Sequence, residues 1–252
     1  LVGVPRTPQG YDLEVLEERI RTHRPKVFFT QPRLQSPTAS TAQASHLHRV
    51  LQLAEKYDIT LVENDIYADI DPEPRASLAS LDQLRRVIYI SSFSKTISPN
   101  IRVGYLAASA ELIEDFAPMK MISGLTSSEF TERLAYGALL DGRWRKHTKN
   151  LRDRLAVAQQ RVATRLLDMG FELFCEPKAG MFLWARHPAI ANASELAYKA
   201  AETDILLGPG HLFAVNLEPS PWLRFNVAHC DDDSVFDFLQ THTATTPSGP
   251  RH

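Results

Sequence analysis

The sequence predicts an α/β protein: a mostly parallel sheet with flanking helices, then a smaller C-terminal α+β unit. Three observations carry this. Short β-rich apolar runs alternate with stretches of helical period through residue 107, the pattern of a parallel sheet with helices packed on it. A long helical stretch follows, from about Trp144 to Met169. Beyond it, short strand-like runs surround one further helix.

Leu1 to Val4 reads as the end of a strand running into Pro5. Leu13, Leu16 and Ile20 have helical spacing, and that helix should stop before Pro25. Lys26 to Thr30, Ile59 to Glu63, Val87 to Ser91 and Arg102 to Ala107 read as strands. Between the first two, Leu47, Val50, Leu51 and Ala54 mark a helix over 43–57. Helices are expected over 110–122 and 129–140. In the long helix Leu151, Leu155, Ala158, Val162 and Leu166 form the apolar side, and Gly170 ends it. Phe171 to Phe174, Met181 to Ala185 and Leu223 to Val227 then read as strands, with a helix near Ala193 to Ala201. The expected division is 1–142, part of a large domain; 143–240, connecting helix and small domain; and 241–252, a polar disordered tail.

The 252 residues are 44% hydrophobic and 23% charged, ordinary globular composition. A net charge of -2 gives no strong electrostatic reason to bind nucleic acid. No apolar run approaches the ~20 residues of a membrane span. Cys175 and Cys230 fit neither a disulfide framework nor a metal motif, which points to a reducing, cytoplasmic compartment. No metal site is expected. The chain opens on Leu1 rather than Met and has no signal-peptide pattern, as a piece of a longer protein would.

The chemistry concentrates in Ser91-Ser92-Phe93-Ser94-Lys95, followed by Arg102-Val103-Gly104-Tyr105. Lys95 stands just past the carboxyl end of an apolar strand, where α/β sheets bind ligands. An amine in a dry crevice can lose its proton and attack a carbonyl, forming a Schiff base. Ser92, Ser94 and Arg102 are suited to a phosphate, since a guanidinium presents its donors as a fixed fork. A lysine with a phosphate cradle points to pyridoxal 5'-phosphate. A solvated lysine after a Ser-rich turn is the plain alternative.

At these residues the chain resembles the PLP-dependent aminotransferases of fold type I, over nearly all of residues 1–240. The resemblance implies a partial type I fold. It makes Lys95 the Schiff-base lysine, places Ser92, Ser94 and Arg102 around the phosphate, and gives Tyr67 the bond to the cofactor's phenolic oxygen. It makes Arg224, in Trp222-Leu223-Arg224-Phe225, the grip on a substrate α-carboxylate, a task suited to a bidentate arginine.

There are three departures from the family pattern. In Gln35-Ser36-Pro37-Thr38-Ala39, Ser36 stands where the family has Asn and Ala39 where it has Gly. Three residues before Tyr67, where the family has the aspartate that bonds the pyridine nitrogen, stands Asn64, with Asp65 one later. Successive strand residues face opposite ways. Either Asn64 faces the ring, stabilising a pyridinium less, or a displaced backbone brings Asp65 to it. The third departure is the lack of a Gly-rich phosphate loop and of an aromatic that stacks on the ring. About the first third of the catalytic domain is therefore expected to lie outside this chain, leaving the strands at 26–30 and 102–107 without a neighbour.

Glu63 to Asp69, Ser91 to Lys95 and the stretch from Tyr136 through Arg154 look most like the MocR branch of GntR-type bacterial regulators. These join a winged helix-turn-helix to an aminotransferase-like domain that senses PLP or an amine. The resemblance implies an effector part that contacts DNA only through a domain absent from this chain. A free-standing aminotransferase acting on an α-amino acid is the competing reading. The basic run at 143–154 reads as a solvated helix face. A small amino compound and a homodimer partner are implied, with Gly124 to Ser128 as a segment able to reach the partner.

Overall fold

The computed structural model describes residues 1–140 and 142–243. Two compact units emerge: a large one of Val4–Gln35 and Ser40–Asp153, and a small one of Leu1–Gly3, Ser36–Ala39 and the chain from Arg154. The division falls inside the long helix.

The large unit opens with a two-stranded antiparallel pair, β1 (Arg6–Thr7) and β2 (Gly10–Tyr11). Leu1 to Val4 are not a strand, correcting the expectation; an apolar run becomes one only where a neighbour takes its backbone groups. Helix α1 (Leu13–His23) is N-capped by Asp12, whose carboxylate accepts from Val15 N at 3.0 Å. Then come β3 (Val27–Thr30), α2 (Ala44–Tyr57), β4 (Thr60–Asn64), α3 (Leu78–Asp82), β5 (Val87–Ser92) and β6 (Gly104–Ala107).

The sheet order is β3-β4-β5-β6. β3/β4 and β4/β5 are parallel, whereas β6 runs antiparallel to β5. The expected run 102–107 begins two residues late, because Arg102 adopts a left-handed conformation (φ 51°) before the strand can start. The strands expected to lack a neighbour are the outer two, and Phe29 (71%) and Tyr105 (49%) on them are exposed. One face packs on α1–α3: Leu16, Ile20, Val50, Leu53, Leu61 and Val87 share one buried cluster.

The large unit continues with α4 (Ala110–Gly124), α5 (Glu129–Leu140) and the start of α6 (Arg143–Asp168). In the small unit α6 buries Leu155, Val162 and Leu166. Gly170 (φ 85°) terminates it, and Phe171 N closes back on Leu166 O at 2.9–3.0 Å with Gly170 N on Leu167 O. There follow β7 (Glu172–Leu173), β8 (Phe182–Arg186), α7 (Ala193–Ala201), β9 (Gly208–Pro209), β10 (Trp222–Asn226) and α8 (Asp233–Thr243). Their sheet is antiparallel, in the order β7-β8-β10-β9. Helix α8 runs past 241 to Thr243; the rest of the expected tail, 244–252, lies outside the described residues. No helix among the described residues is long and apolar enough to cross a membrane.

Candidate functional site

β5 ends at Ser92, and the chain turns at once. Phe93 N donates to Val103 O, and Thr96 N and Ile97 N both donate to Phe93 O (3.2 and 2.8 Å). The turn sets Lys95 at the carboxyl end of the strand, half-buried. Among the described residues its amine takes no hydrogen bond or ion pair. A 3-10 turn, Pro99–Ile101, then leads into Arg102. A left-handed non-glycine residue is strained by about 1–2 kcal/mol, and Arg102 in that conformation lines a cavity.

That cavity, about 780 Å³, is lined by the polar Ser92, Ser94 and Arg102 and by the apolar Ile90, Leu106 and Phe116, among others. The structure thus brings together the three expected phosphate residues, beside the Lys95 turn. Gly104 also lines it; a Cβ there would stand 3.0 Å from Ser91 O and 3.1 Å from Ser92 Cβ.

The alternation at the end of β4 has a clear outcome. Asn64 pairs in register with Ile90, and Ile90 with Leu106. Register partners project to the same face, so Asn64 lies on the face whose Ile90 and Leu106 line the cavity. Asp65 N still donates to Ile90 O at 2.9 Å, continuing the ladder, so the backbone is not displaced. Asp65 projects the other way. Its carboxylate meets Arg33 Nε at 3.1 Å and accepts from Tyr89 Oη at 3.2 Å, with its side chain 3% exposed. Burial pushes Asp65 up to about 6, against the pull of Arg33. Arg33 also lies 3.8 Å from Asp71 and donates to Arg75 O. Arg33 was not singled out by its sequence position; its partners are 32 or more residues away. Glu63 is likewise raised to about 6 by burial and accepts from Leu78 N and Ala79 N at the start of α3. Tyr67 is buried (3% exposed) in the turn that follows.

The small unit holds Ser36 and Arg224. Arg224 stands on β10, with its guanidinium 4.4 Å from the Phe182 ring centroid and 4.8 Å from that of Phe213. Its Nη1 donates to Ser36 Oγ at 3.0 Å. Phe182 and Phe213, absent from the sequence-based site, fix the plane of the guanidinium. Ala39 takes a left-handed φ of 60°, the conformation that suits the family's Gly.

The family model for aminotransferase class I and II matches residues 4–241. The chain belongs to the class I and II aminotransferase family. This family member is 25% identical to aromatic-amino-acid aminotransferase 1 of Thermococcus litoralis, over 93% of the chain and 58% of that protein. It is 28% identical to the HTH-type transcriptional regulator NorG of Staphylococcus aureus, over 80% of the chain and 47% of the regulator. The crystal structure of LysN, the alpha-aminoadipate aminotransferase of Thermus thermophilus, complexed with N-(5'-phosphopyridoxyl)-L-leucine, superposes with a TM-score of 0.86. It is 26% identical and covers 96% of this chain and 64% of that one. The chain therefore has the type I fold, and spans about half to two thirds of the length of these relatives.

Proposed function

We propose that the chain is the pyridoxal phosphate-binding, aminotransferase-like effector part of a GntR/MocR-type regulator, sensing PLP or an amino compound with little turnover. The observation that carries this is Asn64: a neutral amide lies on the cavity face, while the neighbouring carboxylate, Asp65, is engaged by Arg33 and Tyr89 on the other.

The donor set fits the cofactor. Two hydroxyls and a guanidinium line one cavity, Lys95 directly follows the lining Ser94 in the chain, and Gly104 keeps the cavity wall thin. When bound, PLP supplies an aldehyde for amines and a ring that draws electrons from the substrate Cα. Ser92, Ser94 and Arg102 hold the phosphate through charge-assisted hydrogen bonds. Lys95 supplies the amine that takes the aldehyde, and Tyr67 donates to the phenolic oxygen. Asn64 bonds the ring nitrogen without a formal charge, so it does not hold a proton there as a carboxylate would. Arg224 grips the carboxylate of an amino-acid ligand. The protein is proposed to act as a cytoplasmic homodimer, with DNA bound by a separate domain.

Likeness to the Thermococcus litoralis enzyme over 93% of the chain favours a second reading, a free-standing aminotransferase for an α-amino acid. There Lys95 would also move the Cα proton. One experiment separates the two. Full-length protein titrated with PLP should gain a visible band, and borohydride should fix the cofactor on Lys95 and on nothing in Lys95→Ala. Mixed with amino acids, the wild type should turn over negligibly and Asn64→Asp measurably faster. Efficient wild-type turnover, unimproved by Asn64→Asp, would establish the enzyme reading instead; a label on another lysine would refute both.

A further inference from the structure

The basic stretch at the start of α6 is not wholly a solvated face. Trp144, His147 and Thr148 share the side turned to the Lys95 loop. The Trp144 ring packs edge-on against Phe93, with centroids 5.7 Å apart at 83°. One turn on, His147 Nε2 lies 2.5 Å from Thr96 O. Thr148 is buried, its hydroxyl donating to Trp144 O at 3.0 Å, which turns the Trp144–Thr148 ridge inward.

We propose that His147 is a positioning residue for Lys95. Thr96 O can only accept, so Nε2 carries the proton and donates, in either the neutral or the cationic imidazole. Thr96 follows Lys95 directly. Its own N–H is held by Phe93 O at 3.2 Å. The imidazole and Phe93 therefore pin the peptide units on both sides of Thr96, and Phe93 is itself backed by Trp144. The lysine's Cα is left little freedom, although among the described residues its side chain has no hydrogen bond or ion pair to orient it. Sequence alone hides this, since His147 and Thr96 are 51 residues apart.

The inference rests on Lys95 being the attachment point for PLP, as proposed above. His147 is exposed, so water competes for the bond. Loss of one such hydrogen bond corresponds to about three- to tenfold in affinity. The test uses full-length protein and PLP as the probe. His147→Gln keeps a donor near the Nε2 position, His147→Glu is its isostere without one, and His147→Leu has neither. We expect His147→Leu and His147→Glu to bind PLP about three- to tenfold more weakly and to be trapped more slowly by borohydride on Lys95. They should also alter the visible circular dichroism of the bound cofactor. His147→Gln should restore all three, with thermal unfolding unchanged across the folded variants. Equal affinity and identical visible spectra in the Gln and Glu variants would overturn the proposal, whether or not the Leu variant folds. Absence of any cofactor band or Lys95 label in the wild type would overturn the cofactor reading and this inference together. A normal Lys95 label in all variants, with unaltered spectra, would overturn this inference alone.

Discussion

The two units hold their central arginines in opposite ways. In the large unit Arg33 lies against the buried carboxylates of Asp65 and Asp71, whose side chains are 3% and 2% exposed. In the small unit Arg224 meets two aromatic faces and a hydroxyl. Carboxylates fix a guanidinium and cancel its charge, whereas rings and a hydroxyl fix its plane. The first arrangement braces a fold. The second holds a planar fork in the orientation that the proposed grip on a carboxylate needs. Two arginines indistinguishable by residue type thus stand in different surroundings, and only for Arg224 is a binding role proposed.

The largest expected effect breaks the carboxylate side of this comparison. Arg33→Met leaves the buried Asp65 without its cation, while Asp71 keeps Arg75 at 3.0 Å, and should lower stability by about 3–5 kcal/mol in denaturant unfolding. A loss below about 1 kcal/mol would mean the pair is already neutral in the native state.

That native charge can be read by pH. Asp65 is raised to about 6 from an unfolded value of 3.8. Its folded form binds a proton more tightly, so stability falls as pH rises through the window from about 4 to 6 and is flat above it. Relative to Asp65→Asn, wild-type stability should drop by up to about 3 kcal/mol between pH 4 and pH 7. A rise over the same window would show that Arg33 outweighs burial.

On the aromatic side, Arg224→Lys keeps charge but loses the planar fork. Affinity for amino-acid ligands should weaken by about 1.5–3 kcal/mol, with PLP still bound. Unchanged affinity, measured by calorimetry, would remove Arg224 from ligand binding and leave the ring sandwich a packing device.

The smallest effect concerns the Ser36–Ala39 loop that carries Arg224's hydroxyl partner. Ala39→Gly relieves a left-handed φ and should raise the unfolding free energy by up to about 1 kcal/mol. No gain, or a loss, would show that the neighbours of Ala39 already accommodate its Cβ.

What was legible in the sequence was local. Lys95, Ser92, Ser94 and Arg102 sit within eleven residues of one another, and their chemistry survives any detail of packing. The opposition of Asn64 and Asp65 was legible too, because a strand alternates. Which of them meets the cavity was not, since that depends on which sheet face α1–α3 cover. Arg33, Phe182, Phe213 and His147 were hidden for a related reason: each acquires meaning only from partners brought near by the fold. Leu1 to Val4 misled because hydrophobicity marks what prefers burial and not what finds a partner strand. The hairpin at Arg6 to Tyr11 was missed because two-residue strands have too few positions to show a period.

The connection that carries Lys95 is also the shortest in its sheet. β5 and β6 are joined by residues 93–103, whereas β3 reaches β4 only across residues 31–59 and β4 reaches β5 across 65–86. Bringing together the ends of a loop costs more chain entropy as the loop lengthens, here by roughly 1 kcal/mol between the shortest and the longest connection. The lysine's turn thus lies in the segment whose closure demands least of the unfolded chain. Its shape is set by near neighbours in sequence, and closing the β5–β6 pair does not require either of the longer parallel crossovers.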